Sequence, residues 1–251
     1  MAAPRNELKA KLKSGARCVG AWLAMVDATA AEIAAQSGLD WLLIDGEHSP
    51  NDLQSTVAQL RALGDVPAVV RLPDDDAAKI KQVLDIGAQT LLVPMVESAT
   101  QAEAIVRATR YPPQGIRGVG SALARATLYN TVPDYVATAN DQICVIVQVE
   151  SQAAVAALDD ILGVEGVDGV FVGPADLSAD MGLAIDDPAA EALVIDTLAR
   201  IAASDKFAGV FSTSPTIQAR AAKVGATFLG VTADVLVLSQ GLREIAASWK
   251  A

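Results

Sequence analysis

The chain has 251 residues, of which 52% are hydrophobic and 4% aromatic, and its formal net charge is −11. This length suits one large domain or two small ones, and the apolar fraction is sufficient for a large buried core. The acidic balance argues against nucleic acid and membrane surfaces as partners, because both require basic patches. No apolar stretch is long enough to span a bilayer.

Short apolar runs rich in Val and Ile recur along the chain, and most of them end abruptly at charged or polar residues. Runs of this kind are typical of strands that are buried on both faces of a sheet. They predict eight strands, at residues 19–24, 41–44, 68–71, 90–96, 143–149, 169–172, 208–211 and 227–231.

Helices are predicted between most of these strands, because apolar residues recur there at spacings of three and four. The alternation implies parallel pairing through right-handed crossovers, and eight such units favour a closed barrel over an open sheet. We therefore predict an α/β fold, a single (β/α)8 TIM barrel over residues 1–251. The clearest helical stretches are residues 30–36, 53–63, 77–86, 102–109, 153–162 and 189–203.

One connection, residues 98–141 between the fourth and fifth strands, is far longer than the others. A loop of that length in a compact domain is usually functional or disordered. Its segment Gly118-Val119-Gly120-Ser121 resembles a phosphate cradle only loosely, because no strand directly precedes it. A lid or a contact between subunits is the better interpretation.

Two cysteines, Cys18 and Cys144, lie at or within apolar strand runs and do not form a C-x-x-C motif. We expect buried free thiols in a reducing cytoplasm. The first fifteen residues are polar and basic and have no apolar core of the kind that signal peptides contain. A cytoplasmic location is the expectation.

The single histidine, His48, directly follows the second predicted strand. A lone histidine is more often structural than catalytic, but this one has no apolar face to which it could belong. The carboxyl ends of the strands form the active-site face of a parallel barrel. A catalytic role is therefore favoured over a structural one.

Two carboxylates, Glu150 and Asp176, follow the fifth and sixth strands. Neighbouring strands lie about 4.8 Å apart, so both side chains could reach one ion. An oxygen-only site suits Mg²⁺ or Mn²⁺ and does not suit structural zinc. Alternatively, Glu150 simply begins the next helix, where the macrodipole favours a carboxylate. Position alone leaves both interpretations open.

A cation, Arg71, ends the third strand, and its fork would suit a substrate carboxylate or a developing oxyanion. It could also pair with Asp45 or Glu47 on the adjacent strand, and both arrangements could hold together. Asp45 is accordingly included among the expected substrate-site residues. No lysine ends a strand, which disfavours a Schiff-base mechanism.

Several motifs together resemble one known family, the HpcH/HpaI aldolases, which are class II pyruvate-dependent aldolases. The likeness runs from about residue 19 to residue 234, and the motifs occur in the same order as in the family. They are the segments 42–48, 91–96, 110–121 and 170–178.

The resemblance implies a (β/α)8 barrel that uses a divalent cation (Mg²⁺, Mn²⁺ or Co²⁺) to stabilise an enolate. The implied reaction is reversible cleavage of a 4-hydroxy-2-oxo acid into pyruvate or hydroxypyruvate and an aldehyde. The implied site residues are Glu150 and Asp176 as metal ligands, His48 as the catalytic histidine with Asp85 as its paired acid, Arg71 at the oxygen of the 2-oxo acid, and Gln148, Gly173, Pro174 and Ala175 at the donor site.

The sequence differs from the best-known family members beyond the seventh strand, where residues 210–213 are bulkier and more polar than the usual aliphatic run. Phe211 is therefore expected to shape the pocket for the acceptor aldehyde. Two other functions stay open: a lyase of the malyl or citryl type that acts on a CoA thioester, and a noncatalytic barrel that senses 2-oxo acids.

The last helical segment, residues 235–249, carries an apolar stripe that ends in Trp249. Such a helix could close its own barrel, but a large aromatic so close to a terminus favours an interface. The resemblance implies a homohexamer, a trimer of dimers. We expect this helix at a subunit contact and the 117–125 loop near a neighbouring site.

Overall fold

The computed structural model describes residues 1–250. Eight parallel strands close into one barrel in sequence order, which confirms the predicted (β/α)8 architecture. The strands are β1 (Cys18–Leu23), β2 (Trp41–Asp45), β3 (Ala68–Arg71), β4 (Thr90–Val93), β5 (Cys144–Val149), β6 (Gly169–Val172), β7 (Phe207–Phe211) and β8 (Phe228–Ala233).

Helices surround the barrel, and most of those that follow a strand begin at an Asp or Ser whose side chain accepts from a first-turn backbone N–H. The helices of the described chain are α1 (Glu7–Lys13), α2 (Ala28–Ala35), α3 (Leu53–Ala62), α4 (Ala77–Asp85), α5 (Ala99–Thr109), α6 (Tyr135–Gln142), α7 (Gln152–Ala156), α8 (Leu158–Leu162), α9 (Pro174–Asp180), α10 (Pro188–Ala202), α11 (Pro215–Lys223) and α12 (Asp234–Lys250).

The prediction of one helix over residues 153–162 is wrong, because the chain forms α7 and α8 there. Ala157 separates them with a ψ of 3°, outside the helical region. The predicted strand at residues 90–96 also ends early, at Val93. Pro94 has no N–H to donate, and Met95 adopts a left-handed φ of 53°.

Aromatic rings fill much of the barrel interior, although aromatic residues make up only 4% of the chain. Trp41 stacks on Phe228 with their centroids 4.2 Å apart, and Trp22 meets Phe211 edge-on at 4.7 Å. A Cβ at Gly20 would overlap the Trp41 indole, and one at Gly230 would overlap Trp22. Small and large residues therefore alternate inside the barrel.

The amino-terminal end of the barrel is closed by α1, which sequence periodicity did not predict. Leu8 and Leu12 are buried against the interior cluster. The buried carboxylate of Asp168 holds this helix through ion pairs with Lys9 at 3.3 Å and Lys13 at 2.8 Å. This end is therefore plugged, which leaves the carboxyl ends of the strands as the open mouth.

The long connection between β4 and β5 is ordered and contains α5, two short 3₁₀ turns and α6. It exposes several large apolar side chains, and so does the terminal helix α12, which buries none of its residues. The exposed apolar residues of these two segments are Ile116, Val119, Leu123, Leu128, Tyr129, Val235, Leu236, Val237, Leu238, Leu242, Ile245 and Trp249.

The predicted free thiols are confirmed, since Cys18 and Cys144 are both buried and unpaired. None of the helices in residues 1–250 has the length and apolar character needed to cross a bilayer.

Candidate active site

Polar side chains cluster at the open mouth because of the two-residue period of the strands. Trp41 and Leu43 of β2 point into the barrel, so Asp45, two residues further on, points the same way at the rim. The same period places Arg71 above Val69 on β3. The residues that follow the apolar interior layers therefore form the floor of the mouth.

Asp45 and Arg71 are register partners on β2 and β3 and form a bidentate ion pair. Arg71 Nε donates to Asp45 Oδ1 at 2.8 Å, and Arg71 Nη2 donates to Oδ2 at 2.7 Å. Asp45 Oδ1 also accepts from the backbone N–H groups of Glu47 and His48. Both oxygens are occupied within the chain, so Asp45 orients Arg71 and the 46–48 loop, and its expected place at the substrate stays a prediction.

The Arg71 contacts decide the charge state of Asp45. Burial alone would raise the pKa of this carboxyl. The hydrogen bonds and charge of Arg71, together with the two backbone N–H groups, outweigh burial and hold the pKa below its ordinary value. Asp45 is therefore a carboxylate at neutral pH.

Glu47 is a site residue that the sequence analysis named only as an ion-pair partner. Its Oε2 lies 2.8 Å from Arg71 Nη1 and 3.8 Å from His48 Nε2. Burial raises its pKa above the ordinary value, and the charge of Arg71 opposes that shift. Arg71 thus lies between two carboxylates, and the ion-pair alternative considered for it is confirmed for both.

Glu150 projects from the end of β5 and is 2% exposed. Its Oε1 accepts from the Met95 backbone N–H at 2.8 Å, and its Oε2 accepts from the Gln148 side-chain amide. The left-handed backbone of Met95, strained for a residue with a side chain, aims that N–H at the carboxylate. Glu150 is therefore held inside the mouth and does not begin a helix.

Burial raises the pKa of Glu150 to about 7, and the negative charges of Glu47 and Asp176 act in the same direction. The charges of Glu47 and Asp176 therefore disfavour the ionised form of Glu150. A cation between such groups would relieve both the burial cost and the repulsion.

The turn after β6 completes this side of the mouth. A Cβ at Gly173 would overlap Glu150 Oε2, so only glycine fits beside the buried carboxylate. Pro174 begins α9, Ala175 is exposed, and Asp176 lies exposed in the first turn of that helix. The donor-site residues expected from the sequence are therefore brought together.

The residues at the mouth fit a divalent cation that prefers oxygen ligands. Glu150 offers a fixed carboxylate, Asp176 a second one, and Gln148 Oε1 is buried with no hydrogen-bond partner among the described residues. Within residues 1–250 no three Asp, Glu, His or Cys side chains form a metal-holding group. Two carboxylates with water and substrate are the ligand set that Mg²⁺ and Mn²⁺ accept.

His48 and Asp85 are not brought together within one chain. His48 lies at the mouth with its side chain 64% exposed. Asp85 is the last residue of α4, which runs from the end of β3 back toward the start of β4. Its Oδ1 accepts from Arg117 Nη2 at 2.7 Å. The expected His48–Asp85 pair stays a prediction.

Phe211 ends β7 at the rim and is partly exposed, and its role at the acceptor aldehyde stays a prediction. Trp22, which packs edge-on against it, was not predicted as a site residue. The signal was present, because Trp22 lies two residues after the inward-facing Gly20 on β1. These two rings form the apolar wall of the mouth.

Comparison with known proteins gives consistent results. The chain matches the family model described as HpcH/HpaI aldolase/citrate lyase over residues 18–240. It is 50% identical over 254 residues to hydroxypyruvate/pyruvate aldolase of Agrobacterium fabrum, covering 100% of this chain and 96% of the relative. It is 47% identical over 251 residues to 4-hydroxy-2-oxo-heptane-1,7-dioate aldolase of Salmonella arizonae, with 98% and 95% covered.

Solved structures agree with the sequence relatives. A HpcH/HpaI aldolase/citrate lyase family protein from Burkholderia cenocepacia superposes with a TM-score of 0.93 at 36% identity. The match covers 98% of this chain and 100% of that one. Both the fold and nearly the whole length of the chain are therefore shared with this group.

Replacing Asp45 by Asn should lower the free energy of unfolding by about 2–3 kcal/mol at pH 7, because it leaves the buried Arg71 with one carboxylate. The folded-state pKa of Asp45 is lowered, so its contribution is present above the ordinary carboxyl pKa and is lost as pH falls through the lowered value. The difference between the two proteins should shrink at acidic pH. Urea unfolding at a series of pH values measures it.

The matched control is Asp159→Asn. It removes an ion pair between Arg200 and Asp159, and the Asp159 side chain is 83% exposed. Exposed pairs contribute about 0–1 kcal/mol. Equal destabilisation by the two substitutions would show that Asp45 does not hold a buried charge.

Proposed function

We propose, from the premise that this chain belongs to the HpcH/HpaI aldolase/citrate lyase family, that it reversibly cleaves 4-hydroxy-2-oxo acids into pyruvate or hydroxypyruvate and an aldehyde. Such an aldolase is a carbon–carbon lyase. The observation that carries this proposal is the fixed Arg71 fork beside the buried Glu150 at the mouth of the barrel. That arrangement suits a small acid with an adjacent oxo group.

Glu150 and Asp176 would hold a divalent cation, Mg²⁺, Mn²⁺ or Co²⁺, with Gln148 and the Gly173–Ala175 turn beside it. When bound, such a cation supplies Lewis-acid stabilisation for negative charge on the oxygen of a 2-oxo acid. Met95 and Gln148 keep Glu150 in one orientation. The site therefore needs little rearrangement to bind its cation and its donor.

Arg71 binds the 2-oxo acid and places positive charge where oxygen becomes negative in the transition state. Asp45 and Glu47 fix its guanidinium, so this charge does not have to be ordered during the reaction. His48, exposed at the mouth, accepts the proton of the 4-hydroxyl group as the bond between C3 and C4 breaks. The aldehyde leaves, and C3 of the donor takes up a proton.

The two other functions left open by the sequence receive less support. The relatives at about half identity carry aldolase names, whereas a CoA thioester would require a basic contact surface that this acidic chain does not show. A noncatalytic sensor would need no histidine at the mouth. Cleavage assays with 4-hydroxy-2-oxo acids, compared with malyl-CoA and citryl-CoA, separate these functions.

Chelation with EDTA should abolish cleavage activity, and added Mg²⁺, Mn²⁺ or Co²⁺ should restore it. Glu150→Gln should lower kcat/KM by about 100-fold or more, because loss of a residue that only supports a metal ligand already costs about 10- to 100-fold. Glu103→Gln, at an exposed position on α5, is the control and should leave the rate unchanged. Initial rates and Mn²⁺ titration calorimetry measure both effects. Full activity of metal-free protein would contradict the proposal.

Phe211 shapes the acceptor pocket in this proposal. Phe211→Leu should change the ratio of kcat/KM between small and large aldehydes by about tenfold, because the contact is made with the aldehyde alone. Phe207→Leu, at the closed end of the same strand, is the matched control and should leave the ratio unchanged. If both variants kept the wild-type ratios across an aldehyde panel, Phe211 would lie outside the pocket.

We further propose a cytoplasmic homohexamer, a trimer of dimers, in which one subunit's Asp85 meets the partner subunit's His48. The exposed apolar residues of α12 and of the 116–129 segment support an interface, since α12 buries none of its side chains within one chain. The two buried free thiols are in keeping with a reducing compartment.

Light scattering tests the assembly. Truncation before Val235, or Leu242→Asp within the apolar stripe, should reduce the measured mass below that of the wild-type hexamer. Gln240→Asp adds the same charge on the opposite side of α12 and should not change the mass. A monomeric wild type, or a truncated chain of unchanged assembly, would rule out this role for α12.

A further inference from the structure

Among the arginines that form ion pairs in the described chain, Arg117 alone has a side chain that is 0% exposed. It lies at the start of the 117–125 loop, and its Nη2 donates to Asp85 Oδ1 at 2.7 Å. Its Nε and Nη1 are buried without a hydrogen-bond partner among residues 1–250. The guanidinium is therefore committed to a single carboxylate.

The surroundings of Arg117 leave Asp85 as its only anion. The guanidinium carbon lies 4.4 Å from the centre of the Tyr111 ring, and Tyr135 packs against that ring. Burial raises the pKa of Tyr111 to about 12 and raises that of Tyr135, so both phenols stay neutral. Lys81 lies one turn before Asp85 on α4, and its side chain passes beside Gly118. It forms no ion pair within residues 1–250.

Asp85 occupies an unfavourable position for a carboxylate. It ends α4, where the helix macrodipole carries partial negative charge, and the last turn of α4 contains no basic residue. One oxygen is fixed by Arg117, whereas Oδ2 accepts no hydrogen bond within the described chain. The side chain is 29% exposed, so the free oxygen is available at the surface.

Stability alone does not explain this pair. A buried ion pair is often no more stabilising than apolar side chains of similar volume, because both charges lose their hydration. Arg117 carries the additional cost of two unpartnered nitrogens. Arg117 is also not needed to join the long connection to α4, because Arg125 Nη1 donates to the carbonyl of Ile86, the residue after α4, at 2.9 Å.

We infer that Arg117 is a positioning residue for catalysis: it holds the Asp85 carboxylate with one oxygen turned outward to receive the partner subunit's His48. This inference rests on the proposed function, in which these two residues pair across a subunit boundary. Asp85 then orients the His48 imidazole, and the buried guanidinium of Arg117 fixes Asp85. Arg117 touches no substrate and acts only through Asp85.

The inference is tested by comparing Arg117→Met, Arg117→Lys, Asp85→Asn and the double variant Arg117→Met with Asp85→Asn. Arg117→Met should lower kcat for cleavage and the rate of pyruvate methyl-proton exchange in deuterium oxide by about 10- to 100-fold. The donor KM should change by no more than about twofold, because Arg71 and the cation site are untouched. Arg117→Lys should recover part of the loss.

The double variant should be no slower than Asp85→Asn alone, because Arg117 has no role once the acid is removed. Lys81→Met is the matched control: it removes a cation close to Asp85 that forms no ion pair, and it should leave kcat unchanged. Light scattering and circular dichroism on each variant verify assembly and fold.

Several results would overturn the inference. They are an unchanged kcat in Arg117→Met, additive losses in the double variant, equal loss from Lys81→Met, and a loss of assembly in every Arg117 variant, which would make the residue structural. An inactive wild type would instead contradict the proposed function. The two failures are therefore distinguishable.

Discussion

The site depends on one buried cation between two carboxylates. Arg71 comes from β3, and Asp45 and Glu47 come from the end of β2 and the turn that follows it. Removing Arg71 would leave two buried carboxylates without their cation, and removing either carboxylate would leave the buried Arg71 with one partner only, so each loss is costly. The same contacts fix the 46–48 loop, because Asp45 also accepts from its backbone N–H groups. Asp45 therefore both anchors the loop that carries His48 and fixes the positive charge of Arg71.

A second constraint is the position of Glu150. The chain leaves β4 through Pro94 and the left-handed Met95, and this strained turn directs an N–H toward the carboxylate. The absence of a side chain at Gly173 provides the space on the other side. The strained backbone of Met95 and the small Gly173 thus hold Glu150 in place. Without a cation, burial raises the pKa of this carboxyl group. Binding of a cation is the compensating interaction that this arrangement favours.

Much of this could be predicted from the sequence, because strand identity and strand-end position depend on local pattern. The period of two along β2, β3 and β5 places Asp45, Arg71 and Glu150 on the inner face once the barrel is known. The engagement of Glu47 could not be predicted, since it depends on how a three-residue turn folds back on Arg71. The break at Ala157 within residues 153–162 was equally hidden, because both halves have helical periodicity.

Asp85 shows a different limit of sequence reasoning. The resemblance to the family predicts a role for it beside His48, but the topology of one chain places it at the far end of α4 with Arg117. The proposed assembly would reconcile this prediction with the topology, because Asp85 of one chain could then meet His48 of another. The exposed apolar side chains of α12 and of the 116–129 segment are the surfaces that such an assembly would cover.

The most direct test of the account is a crystal structure of the protein with Mn²⁺ and pyruvate, using the anomalous signal of manganese. We expect one manganese peak per chain, between the carboxylates of Glu150 and Asp176, with pyruvate within hydrogen-bond distance of Arg71. A manganese peak elsewhere, or pyruvate bound away from Arg71, would contradict it.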